Sequence, residues 1–171
     1  HDSVLRAVPG AQIIGVDPEG RIDLEALRNA LAALDEATRS RTLVSVMMAN
    51  NETGVIQPLD EVVQIAAEAG VQLHSDMVQL LGQQHLDFSG SGLDFASLSA
   101  HKIGGPAGVG ALLVRPGRAM TSLLRGGGQE QGRRSGTENV IGIAGFGGAA
   151  KAAFDDIAHY RRMASWRDAM E

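Results

Sequence analysis

Leu59-Asp60-Glu61-Val62-Val63-Gln64-Ile65-Ala66-Ala67-Glu68-Ala69-Gly70-Val71-Gln72-Leu73-His74-Ser75-Asp76 is the stretch from which the fold can be read. Leu59, Val62, Val63, Ile65, Ala66 and Ala69 recur at helical spacing, and Gly70 stands where such a helix would stop. Val71 to Ser75 then reads as a strand. Upstream, Thr42 to Met48 is a near-continuous, partly β-branched apolar run, as expected of a parallel strand buried on both faces. A helix joining two such strands predicts a parallel, right-handed crossover.

Working outward, Ala11 to Val16 reads as a short strand ended by the turn Asp17-Pro18-Glu19-Gly20. A helix follows over Asp23 to Leu31, with Asp23 as its N-cap. Gly108 to Arg115 reads as a strand that comes too soon after Lys102 for a helical crossover, so it should pair antiparallel. The expected fold class is α/β, with a mixed, mostly parallel sheet flanked by helices. The polar segment Gly126 to Asn139 reads as flexible. A small-residue helix is expected from about Val140 to Tyr160, and Arg161 to Glu171 extends it with Tyr160, Met163 and Trp166 on one face.

The composition of the 171 residues, 44% hydrophobic and 20% charged, suits a globular domain with a real core. Fifteen basic against 20 acidic residues give a formal charge of -5, which argues against nucleic acid as a partner. No apolar run is long enough to span a membrane and no signal segment opens the chain, so a cytoplasmic location is expected. The absence of cysteine excludes disulfides, thiolate metal ligation and a cysteine nucleophile within these residues. The chain begins at His1 as though in mid-element, which reads as a fragment.

Strand then polar loop recurs at Asn50, Asp76 and Lys102. Ligands of open α/β sheets bind beyond the carboxyl ends of parallel strands, so Asn51, Asp76, Gln79, His101 and Lys102 are expected to converge. Lys102 closes the run from Ser97 and enters the turn Gly104-Gly105-Pro106, a placement that suits a Schiff-base lysine. Asp76 adds a carboxylate of the kind that faces a pyridinium nitrogen, and the two together point to pyridoxal phosphate. Plainer readings are a surface lysine, and an aspartate capping a helix that begins near Val78. Gly104 to Gly108 lacks the glycine-lysine-serine/threonine ending of a nucleotide loop, and His74, His85, His101 and His159 show no metal-ligand spacing, so no metal site is expected.

Four motifs in this order, Asn50-Asn51-Glu52-Thr53-Gly54, His74-Ser75-Asp76-Met77-Val78-Gln79, Ser99-Ala100-His101-Lys102 and Gly126 through Asn139, resemble the large domain of cysteine desulfurases. These belong to the class V aminotransferase group of fold-type I pyridoxal phosphate enzymes. The resemblance implies that Lys102 links the cofactor and moves protons at the substrate's Cα, and that Asp76 pairs with the pyridine nitrogen. It implies that Gln79 donates to the ring's phenolate oxygen, that Ser99 and His101 bind the phosphate, and that His1 stacks over the ring with a part in catalysis. Asn51 would hold the substrate carboxylate. Thr137 would reach across a homodimer to the phosphate bound by the other subunit.

On that resemblance, residues 1–150 form part of the large cofactor-binding domain, and 151–171 a helical segment leading toward a missing small domain. The implied reaction takes L-cysteine to alanine and a persulfide on a protein cysteine, whose sulfur passes to an acceptor or iron-sulfur scaffold protein. The family's nucleophilic cysteine and a substrate-binding arginine lie in a part that these residues do not contain, so the isolated chain is not expected to complete sulfur transfer. Other class V activities, such as an aminotransferase or selenocysteine lyase, stay open, as does a non-catalytic interaction module.

Overall fold

The computed structural model describes residues 1–170, along which follow α1 (Asp2–Leu5), α2 (Leu24–Ala32), α3 (Glu36–Arg39), β1 (Leu43–Met47), α4 (Leu59–Ala69), β2 (Gln72–Asp76), β3 (Phe95–Ser99), β4 (Gly110–Val114), α5 (Val140–Asp155) and α6 (Ile157–Asp168). The strand order is β1-β2-β3-β4. β1 pairs with β2 and β2 with β3, both parallel. Two compact units divide the chain, one of His1–Leu80 with Leu86–Ser97, the other of Leu81–His85 with the residues from Leu98 onward, so that β3 runs through the boundary.

In the first unit α4 buries Val62, Ile65 and Ala66, the face set by its apolar spacing, and packs on β2 and α2. α2 answers with Leu27 and Leu31, and its N-cap Asp23 accepts the Ala26 N–H at 2.9 Å. Each fully buried side chain of this kind contributes about 1.5–3 kcal/mol. α4 ends at Gly70, whose φ of 69° is left-handed, and its amide returns to Ala66 and Ala67 before the chain enters β2. The exposed Arg28–Glu68 ion pair at 3.0 Å adds little.

Two sequence expectations fail in this unit. Ala11 to Val16 forms no strand: only Val16 pairs, in an isolated antiparallel bridge with Ile22 across the Asp17–Gly20 turn. The turn chemistry is present, but the run before it finds no neighbouring strand to complete a ladder. β1 is not buried on both faces. It is the outer member of the strand order, Leu43 is 51% exposed, and of its five residues only Val46 is buried.

In the second unit the Ala100 N–H donates to the Val109 carbonyl at 3.0 Å, and a Cβ on Gly110 would meet the Leu98 carbonyl oxygen at 2.7 Å. The numbering falls along one strand as it rises along the other, the running sense of an antiparallel pair. Val140 onward is helical in two pieces, α5 and α6, parted at Asp156 with Ile157 buried just beyond it. α5 packs on the turn that follows β3.

Candidate functional site

Met47 and Asp76 are ladder partners at the ends of β1 and β2, and the Met48 N–H donates to the Asp76 carbonyl at 2.9 Å. The loop Asn50–Gly54 therefore leaves the sheet beside the end of β2. Asn50 Oδ1 accepts the N–H groups of Glu52 at 2.8 Å and Thr53 at 2.9 Å, so Asn50 shapes the turn. The Asn51 amide is exposed and donates to Glu52 Oε1 at 3.0 Å, which leaves it the outward-facing member of the pair.

Asp76 is 7% exposed, and its Oδ1 accepts the Val78 N–H at 3.1 Å. The chain turns over 78–80 rather than beginning a helix there, so the helix-cap reading of Asp76 does not hold. The bond is instead that of an Asx turn, and half-buried Gln79 sits in the same turn. A carboxylate buried to this degree is costly without a cationic partner, and among the described residues none forms an ion pair with it. A protonated pyridine nitrogen is such a partner, so this end of the sheet fits the ring of pyridoxal phosphate.

His74, two residues earlier on the same face as Asp76, is bonded on both sides: Nδ1 lies 2.8 Å from Ser45 Oγ and Nε2 lies 2.8 Å from Ser97 Oγ. Burial lowers the imidazole pKa from its ordinary 6.5, and the nearby Asp76 charge opposes that shift. Period-two alternation alone pairs His74 with Asp76. The two serines lie 29 and 23 positions away in sequence and become visible only once the register is known.

In the second unit, Ser99 ends β3 and a 3₁₀ turn, Ala100–Ile103, carries His101 and Lys102. The turn is clamped by Ala100 N–H on Val109 and by Gly105 N–H on the Ala100 carbonyl at 2.9 Å. Ser99 Oγ and His101 Nδ1 lie 2.9 Å apart, placing a hydroxyl and an imidazole side by side as a donor pair suited to an anion. Lys102 is exposed next to them.

Thr137 is exposed on the loop before α5. That loop is braced rather than loose. The Ser135 N–H donates to the Leu124 carbonyl at 3.0 Å, its hydroxyl to the Gly127 carbonyl at 2.8 Å, and the Gly136 N–H to Gln129 Oε1 at 3.3 Å. Within it Glu130 (φ 49°, ψ 39°) and Gln131 (φ 57°, ψ 36°) are left-handed and Gly132 continues them at φ 78°. For non-glycine residues this conformation costs about 1–2 kcal/mol each.

His1 is exposed at the N-cap of α1, where its Nδ1 accepts the Ser3 N–H at 3.1 Å. Its hydrogen bonds are local, and none joins it to Asp76 among the described residues. The structure thus places Asn51, Asp76 and Gln79 around one strand end of the first unit. It places Ser99, His101 and Lys102 on one turn of the second, and leaves His1 and Thr137 on separate segments.

Residues 5–169 match the family model described as aminotransferase class-V. A cysteine desulfurase of Gluconacetobacter diazotrophicus is 45% identical over 159 residues, covering 92% of this chain and 38% of that protein. Among solved structures, a NifS-like protein from Rickettsia africae superposes with a TM-score of 0.87 at 41% identity, covering 93% of this chain and 44% of its own. A structure described as SspA in complex with cysteine superposes at 0.71 with 31% identity, over 82% of this chain and 39% of that one. The chain therefore spans about two fifths of the length of the curated relatives it matches. With residues 5–169 on that family model, a mostly parallel α/β sheet and this order of polar strand ends, the chain belongs to the class-V aminotransferase family.

Proposed function

We propose that this chain is the cofactor platform of a pyridoxal-phosphate-dependent cysteine desulfurase. The observation that carries the reading is the buried Asp76 carboxylate without a cation at the end of β2. It is supported by Lys102 on a clamped turn beyond the next strand and by likeness to cysteine desulfurases, one relative being described in complex with cysteine. When bound, pyridoxal phosphate supplies an electron sink that acidifies the Cα–H of an amino acid.

Asp76 would pair with the pyridine nitrogen and Gln79 would donate to the ring oxygen. Ser99 and His101 would hold the phosphate, Asn51 the substrate carboxylate, and His1 would lie against the ring. Lys102 would anchor the cofactor as an amine and serve as the base that moves the proton at Cα. The substrate is L-cysteine, and the sulfur is taken by a cysteine outside these 171 residues, which contain none, before passing to an acceptor or iron-sulfur scaffold protein.

Thr137 serves the phosphate of a second subunit in a homodimer. Leu123, Leu124, Val140 and Ile141, which flank its loop in sequence, are exposed apolar side chains of the kind that subunits cover. Residues 1–150 belong to the large domain and 151–171 lead toward a small one. No helix among the described residues is long and apolar enough to cross a membrane, and the enzyme works in the cytoplasm.

The test is spectroscopic. The chain mixed with pyridoxal phosphate should develop the long-wavelength band of a lysine Schiff base, and Lys102→Ala should abolish it. A band that survives in Lys102→Ala would overturn the assignment, and persulfide formed from L-cysteine by these residues alone would overturn the placing of the nucleophile elsewhere.

A further inference from the structure

Lys102 is exposed, and among the described residues its ammonium forms no ion pair, so the place of that amine is set by the backbone that carries it. That backbone rests on α5. The approach is close enough to leave no space for another carbon at two positions and little at a third. A Cβ on Gly145 would lie 2.6 Å from Pro106 Cγ and 3.1 Å from its Cδ, and a Cβ on Gly142 would lie 2.5 Å from Val109 Cγ2. A Cβ on Gly105 would lie 3.2 Å from Ala149 Cβ.

Gly142, Gly145 and Ala149 share one side of α5 by their spacing, and in that order they meet Val109, Pro106 and Gly105. The helix therefore runs beneath the return from the Lys102 turn to β4. Inside the return, the Gly105 N–H donates to the Ala100 carbonyl at 2.9 Å and the Ala100 N–H to the Val109 carbonyl at 3.0 Å. These bonds fix the shape of the turn, and α5 fixes how deep it sits. Val109 can turn about its χ1, but the closed ring of Pro106 cannot swing aside, so the Gly145 contact has no rotamer to relieve it. In close-packed surroundings a shift of a few tenths of an ångström there passes to the chain on either side.

We propose that α5 seats the Lys102 turn through the bare backbone of Gly145 beneath Pro106, and that these two are positioning residues for the Lys102 amine. A methyl added at Gly145 lifts the turn and carries Lys102 with it, whereas loss of the Pro106 ring lets the turn sink. The consequence for the cofactor rests on the function proposed above, but the seat itself does not.

Hydrogen exchange of the Gly105 amide in the 171-residue chain reads the seat without cofactor. Gly145→Ala overfills it and Pro106→Ala empties it, so each should speed that exchange by roughly tenfold. The two together, with the new methyl standing where the ring was, should restore it. The Leu73 amide, held by Asp94 in the other unit, should keep its rate throughout. A Gly105 rate unmoved by either change, or no recovery in the pair, overturns the seat. With pyridoxal phosphate, each single change should weaken formation of the Lys102-dependent band by roughly tenfold and the pair should recover it. The analogue 4-deoxypyridoxine 5′-phosphate, which offers the amine no aldehyde, should bind all forms alike. Equal losses for both ligands would overturn the positioning role. Should Gly145→Ala not fold, Pro106→Ala decides both readings. A wild-type chain without the Lys102-dependent band would sink the cofactor reading, and the Gly105 exchange would still decide the seat.

Discussion

The parallel ladder of the first unit has a buried aspartate at each end, and the two are used differently. At the amino end Asp94 is 3% exposed, its Oδ2 accepts the Leu73 N–H at 2.9 Å, and its own N–H returns to the Leu73 carbonyl at 2.9 Å. It is sewn into β2 by both side chain and backbone. At the carboxyl end Asp76, equally enclosed, takes its one side-chain hydrogen bond from Val78, two residues along its own chain. One carboxylate serves the fold, and the other is held in place with most of its accepting capacity uncommitted to the backbone.

That difference should break cleanly under mutation. The largest effect is expected from Asp76→Ala in cofactor titrations: losing one partner of a buried charge pair costs about 2–5 kcal/mol, so affinity for pyridoxal phosphate should fall by roughly thirtyfold or more. Its urea midpoint should move little. An unchanged affinity would show that Asp76 is not the ring's partner. Asp94→Ala should do the reverse, costing about 1–3 kcal/mol in urea unfolding because the Leu73 N–H is left buried without an acceptor. Affinity of the folded fraction should stay as it was.

Gly70→Ala, at the left-handed residue that feeds β2, should cost about 1 kcal/mol and likewise spare the cofactor. The smallest effect is the pH dependence set by His74. Its folded-state pKa lies below the ordinary 6.5, so below that value the unfolded chain binds more protons than the folded one. Stability should therefore begin to fall as pH drops through 6.5 and level off, as far as His74 is concerned, below the folded pKa. His74→Gln should flatten that portion of a urea-midpoint profile, and a profile identical to wild type would remove His74 as its cause.

Much of this was legible before any coordinates. α2 and α4 carry their own start and stop signals in Asp23 and Gly70, β2 follows directly on the Gly70 stop, and β4 follows from a short apolar run. What failed depends on partners distant in sequence. Ala11 to Val16 has strand composition but no neighbouring strand to pair with, and the burial of β1 is decided by its place in the strand order. The role of Asp76 was visible as a strand-end carboxylate, whereas the row through Ser45, His74 and Ser97 exists only through register. Glu130 and Gln131 gave no sign of a left-handed backbone, because neither residue type favours it.

That left-handed turn makes residues 130 and 131 a place where the mirror image of an amino acid suits the backbone better than the natural one. A D-glutamine at 131, introduced by semisynthesis, would relieve the steric penalty that the L-residue bears and leave the Ser135 and Gln129 braces untouched. Here the loop's shape is imposed against the handedness of its own building blocks.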